Sequence, residues 1–235
     1  MGVIEALLRK LDRFAPLSPD EKRALEAAVS GVDTYTRHDI IVRQGDRPSH
    51  SCIMVEGMAA RYKGLANGNR QIVSFQIPGD FSDLHSMFLK ALDHGIEALS
   101  PVRIARVPHQ SVDALMREHP GLARAFSWDM AVDGAITREW LASTGRRSAY
   151  ERVAHLLCEL MMRLRSVGLT NGDAYELPIT QADLSDAFGI STVHVNRMLQ
   201  TLRRNGLIEL KGAALRIPNV AAPEEVAGFE AAYLE

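Results

Sequence analysis

Residues 180–206, TQADLSDAFGISTVHVNRMLQTLRRNG, concentrate side chains that can hydrogen-bond to bases and phosphates. On a helical wheel beginning at Ser191, Val193, Asn196, Arg197, Gln200 and Arg204 share one side, and Val195, Met198, Leu199 and Leu202 share the other. An arginine fork matches two acceptors on a guanine edge, and amide side chains match adenine. Small hydroxyls, histidine and free N–H groups at a helix N-terminus suit phosphate. From Ser191 to Lys211, Arg197, Arg203, Arg204 and Lys211 stand against a single acid, Glu209. The whole chain carries −2, which excludes a generic polyanion binder. A local basic face on a mildly acidic chain points instead to a site-directed one.

Two helices must hold these residues. Thr180 is suited to cap the first, with Asp183 three residues on completing a box. Leu184, Ala187 and Phe188 form its inner face, Gly189 breaks it with a tight turn, and Ser191 caps the second. Gly206 ends that helix, and GLIELKGAALRIPN reads as a β-hairpin turning at Lys211-Gly212. Helix, glycine turn, helix and wing make a winged helix-turn-helix, whose second helix fits the major groove. A small helical core domain is the competing reading. The caps, the turn, the basic outer face and the wing together count against it.

The rest of the chain must support this module. Hydrophobic residues at 46% and charged residues at 24% are ordinary for a globular protein of 235 residues, a length that allows two modest domains. No run of about 18 uncharged apolar residues occurs, and MGVIEALLRKLDRF reads as an amphipathic helix, not a signal peptide. No association with a membrane is expected. Cys52 and Cys158 lie far apart, which suggests no disulfide framework and fits a reducing cytoplasm. Residues 32–107 break into short apolar runs, among them DIIVRQGDRPS, SCIMVEGMAARYKG, LANGNRQIVSFQIPGD and EALSPVRIARVP. Their turn punctuation predicts an antiparallel barrel or sandwich, with a hairpin turn at Asn67-Gly68.

Beyond His119-Pro120 the period is helical. Leu122, Ala125, Phe126, Val132, Ala135, Ile136 and Trp140 form one stripe on a helix of about six turns. Such a stripe suits a two-helix dimer seam better than a buried core helix. Gly134 is a weak point, and Gly145-Arg146-Arg147 predicts a hinge. SAYERVAHLLCELMMRLRSVG then carries Val153, Leu156, Leu157, Leu160, Met161 and Leu164 on one face, with Met161 and Met162 read as core and TNGDAYELP as a loop.

IIVRQGD, PGDF, the long helix and ITQADLSDAFGISTVHVNRMLQTLRRNGLIEL together resemble the Crp–Fnr family of transcription regulators over nearly the whole chain. The resemblance implies an α+β protein: an N-terminal antiparallel β-barrel (a cyclic-nucleotide-binding-like jelly roll), a long dimerisation helix and a C-terminal winged helix-turn-helix. The divisions would be 1–110, 111–145 and 146–235. It also implies a homodimer on a two-fold site in double-stranded DNA, acting on RNA polymerase. By position in the motif, Thr180, Gln181, Ser191 and His194 would touch phosphate, and Arg197 would read guanine. Val193 stands where many members have a glutamate, so the half-site should differ from theirs, with Thr192, Asn196 and Gln200 as polar contacts.

The effector is less legible. Nucleotide-binding members read roughly FGE after PGD; here Ser82 and Asp83 replace the glycine and the glutamate. No arginine lies between Arg70 and Arg103, and Asp93, His94, Gly95 and Glu97 occupy the expected phosphate region. Acids there would repel a phosphate, so cyclic AMP binding of the usual kind is not expected. Asp83, Leu84, His94 and Glu97 are the pocket candidates, with a divergent nucleotide pocket as the alternative. Two cysteines cannot hold an iron–sulfur cluster, which needs about four thiolates. Haem at His50, His85 or Cys52 is the weaker reading, and no cofactor or metal is expected. Asp83, His85 and Ser86 are close in sequence, but no nucleophile elbow accompanies them and no enzyme is expected.

Overall fold

The structure is a computed structural model and describes residues 2–235. Two short helices open the chain, α1 (Glu5–Phe14) and α2 (Pro19–Ala27). The Ser18 hydroxyl caps α2 by accepting from the Glu21 N–H, and Glu21 returns the contact to the Ser18 N–H.

Seven strands follow: β1 (Gly31–Tyr35), β2 (Ile40–Val42), β3 (His50–Glu56), β4 (Ala59–Gly64), β5 (Arg70–Gln76), β6 (Gly95–Ala98) and β7 (Val102–Pro108). They form two antiparallel sheets, ordered β1-β7-β3 and β2-β6-β4-β5. The barrel-or-sandwich expectation thus resolves into two sheets, not one closed hydrogen-bonded ring. Gly68, at φ 84°, turns the β4–β5 hairpin. A 3-10 turn, Leu84–Phe88, fills the gap between β5 and β6.

α3 (His109–Glu118) and α4 (Pro120–Arg146) meet at the predicted His119-Pro120 break. α4 runs through Gly134 without interruption for 27 residues, about 40 Å. Its apolar stripe is not the expected dimer seam. Leu122, Ala125, Phe126, Val132 and Ile136 are buried within the same chain. Phe126 meets Phe81 edge-on, and Trp140 meets Phe75.

After Arg147, α5 (Ala149–Ser166) starts at a Ser148–Glu151 capping box that the sequence reading passed over. β8 (Ala174–Glu176) follows where only a loop was expected. It becomes the third strand of the wing, because the Tyr175 side chain is buried against α5 and its hydroxyl donates to the Leu157 carbonyl at 3.0 Å. α6 (Gln181–Phe188), α7 (Thr192–Arg204), β9 (Glu209–Lys211) and β10 (Ala214–Arg216) complete the module, with wing order β8-β10-β9. A last helix, α8 (Ala221–Ala227), packs on α5.

One apolar core crosses from the sheets into the C-terminal module. It joins Met58, Ile72 and Phe75 to Leu157, Leu160, Phe188 and Leu199. A buried ionic cluster lies close by. Asp80, from the Pro-Gly-Asp turn, receives Lys10 at 2.9 Å and Arg163 at 2.6 Å. Arg163 also reaches Glu159, on which Trp140 and Tyr233 converge. Burial pushes the Asp80 carboxyl up, but the two cations outweigh it and hold it below its ordinary value.

Candidate nucleic-acid interface

The inner faces of α6 and α7 fix what the outer faces can present. Leu184, Ala187 and Phe188 of α6 are buried with Val195, Leu199 and Leu202 of α7. Gly189 turns the chain between them at φ 63°, a left-handed backbone that a β-carbon would strain. The opposite side of α7 faces outward. Val193 is 79% exposed, Thr192, Arg197 and Gln200 are exposed, and Asn196 is half-buried. Among the described residues, Arg197 enters no ion pair, so its five donors face solvent.

Both helix starts are organised. The Thr180 hydroxyl accepts from the Asp183 N–H at 3.2 Å and donates to the Asp183 carboxylate at 2.6 Å. Its side chain is therefore occupied, and any anion at this end would meet the N–H groups of Gln181 and Ala182, which the helix leaves unpaired. Ser191 caps α7 by accepting from the His194 N–H. His194 is half-buried just beyond it. Asn196 donates to the Gln181 amide oxygen at 3.1 Å, which ties the start of α6 to the outer face of α7. Arg203, Arg204 and Lys211 are exposed along the same region. Wing residue Arg216 is neutralised by Asp173 and Glu209. The structure thus brings Gln181, Thr192, Val193, Asn196, Arg197 and Gln200 to one exposed surface.

The four effector candidates face four different sets of partners. Asp83 is buried and accepts from the Cys52 N–H at 2.6 Å; burial pushes its carboxyl up to about 7. Leu84 is core. His94 is buried against Asp93. Glu97 receives Arg70 and lies 3.0 Å from His38 Nδ1. Sequence reasoning missed the further reach of Arg70. Its guanidinium also contacts Asp186 at 2.7 Å and Asp183 at 3.3 Å on α6. Arg37 meets the same Asp183 at 3.1 Å. These partners are 113 or more positions apart, beyond the reach of any local pattern. Both cysteines are buried, and burial pushes the Cys158 thiol up to about 12, so it is inert as a nucleophile.

A two-sheet antiparallel domain joined by a long helix to a winged helix-turn-helix with an exposed basic reading face defines a DNA-binding regulator. Comparison with known proteins agrees. Residues 32–119 match the cyclic nucleotide-binding domain, and residues 151–224 match the Crp-like helix-turn-helix domain. The chain is 29% identical over 218 residues to the nitrogen fixation regulation protein FixK of Rhizobium meliloti, covering 89% of this chain and 93% of that protein. It is 26% identical over 183 residues to the transcriptional activator protein FnrL of Cereibacter sphaeroides, covering 76% and 73%. The solved structure of FixK2 from Bradyrhizobium japonicum has the same fold, with a TM-score of 0.74 at 23% identity over 83% of this chain and 96% of that one. The chain belongs to the Crp–Fnr family and is a transcription regulator with a DNA-binding helix-turn-helix, not an enzyme. No helix among the described residues is long and apolar enough to cross a membrane.

Proposed function

We propose that this regulator reads a two-fold double-stranded DNA site as a homodimer in the cytoplasm and acts on RNA polymerase from there. Residues 146–235 read, 111–145 pair the two copies, and 1–110 form the effector domain. The observation that carries this reading is the outer face of α7, where an unpaired Arg197 stands beside exposed Val193 and Gln200 above a fully packed inner face. Arg197 specifies a guanine, and Val193 offers only an apolar contact such as a thymine methyl. Thr192, Asn196 and Gln200 supply polar contacts. Thr180 sets the geometry of its helix start, while Gln181, Ser191 and His194 position the phosphates.

Pairing is supported by what α4 leaves uncovered. Leu141 is 74% exposed, and Ser127, Ala131 and Ala142 are exposed with it. The effector domain, in this reading, does not take cyclic AMP in the usual way. Glu97 is already tied to Arg70 and His38, and acidic Asp93 stands where a phosphate would need donors.

Selection of DNA sites by the purified protein tests the reading, followed by Arg197→Ala. The variant should lose about 1–3 kcal/mol of affinity for the selected site and keep its oligomeric state. Unchanged affinity would refute Arg197 as the reader. Calorimetry should show no micromolar heat with cyclic AMP, and a saturable signal would overturn that part.

A further inference from the structure

His85, Asp93 and His94 belong neither to the reading face nor to the contacts between the sheets and α6. His85 lies in the 3-10 turn after the Pro-Gly-Asp turn, and Asp93 and His94 immediately precede β6. Each offers one ligand-type atom, and the three atoms lie within 4.8 Å of one another. The two imidazole centroids are 5.2 Å apart. Asp93 Oδ1 lies 2.9 Å from His94 Nδ1. With the proton on Nδ1 for that contact, the lone pair falls on Nε2. That Nε2 is buried and meets no partner, in a residue only 3% exposed. A buried acceptor left bare is costly, so this atom calls for a partner.

The geometry points to a binding site for a divalent first-row transition metal ion, held by His85 and by His94 Nε2, with Asp93 accepting from His94 Nδ1 and orienting that ring. Two imidazoles form a borderline donor set that suits zinc, cobalt or nickel and ill suits magnesium or calcium. Two protein ligands leave positions for water or further donors. Histidine ligates as the neutral imidazole, and the charge of Arg61 acts on both rings. Arg61 does not veto a cation here, because the two Asp133 oxygens meet it at 2.9 and 3.0 Å. Lys63, which now touches the Asp93 carboxylate, is 40% exposed and free to swing aside.

The test uses the untagged full chain, stripped of metal by a chelator and titrated with cobalt and with zinc. One equivalent per chain should bind, with a cobalt absorption spectrum of nitrogen–oxygen ligation. His94→Gln and His85→Asn should each weaken binding at least roughly tenfold, and His119→Asn should not. If the buried His94→Gln variant fails to fold, the half-buried His85→Asn carries the test. Absence of saturable binding, or binding indifferent to both substitutions, would overturn the site and leave only water beside His94.

Discussion

Arg197 and Val193 stand about one turn apart on α7, and in the proposed reading they set what the chain can distinguish. Their exposure was legible from the sequence because it follows from local geometry: a cap, a glycine, and a 3.6-residue period. Asp83 was not legible in the same way. Its substitution for the family's glutamate suggested a pocket wall, yet its carboxylate turns inward to Cys52, 31 positions away. One Asp83 oxygen accepts the Cys52 N–H, and the other is buried without a partner. Burial raises this acid in the folded chain from 3.8 to about 7. The folded chain therefore keeps a proton that the unfolded chain releases, and this group's contribution to stability falls as pH rises through that window. Asp83→Asn should remove that part of the slope. Melting temperatures of the two proteins from pH 4.5 to 7.5 should converge at the acidic end and separate at the neutral end, with the variant the more stable. Parallel curves would show that Asp83 is ionised throughout. His85, Asp93 and His94 escaped sequence reading for the opposite reason. Asp-His is too common a pair to signal ligation until the fold brings His85 beside it.

At the scale of the element, α4 shows what periodicity can and cannot say. The stripe from Leu122 to Trp140 correctly marked a helix and its apolar side. It could not say whose surface covers that side, because a partner chain and the chain's own sheets make the same demand for apolar residues. The cover turned out to be internal, supplied for Phe126 by Phe81 and for Trp140 by Phe75. The two faces of α4 should therefore respond differently. Ile136→Ala, on the buried face, should cost about 2–5 kcal/mol of folding stability and leave the proposed dimer intact. Leu141→Glu, on the exposed face, should leave the melting of the isolated chain nearly unchanged and convert the proposed dimer to monomer. Sedimentation and denaturant unfolding together check the pair. A monomeric Ile136→Ala beside a dimeric Leu141→Glu would place the seam on the other face.

At the scale of the whole molecule, the family resemblance divides the chain at 110 and 145, and the helices break at His119 and Arg147. The apolar core nevertheless passes from Ile72 and Phe75 through α5 to Leu199, and Arg70 reaches from β5 to two carboxylates on α6. Contacts of this kind make unfolding cooperative across a domain border. Calorimetry of the full chain should show one transition; two resolved peaks would mean that the shared core does not couple its halves. The same continuity bears on how such a protein can change over generations. A reading module that owns only its own interior can be exchanged between regulators like a cartridge, carrying a new target with it. Here a transplanted module would strip cover from Ile72 and Phe75 and leave Arg70 without its acids. New targets should therefore arise in this lineage by replacing single side chains on the outer face of α7, one base preference at a time, while the seat of the module stays as it is.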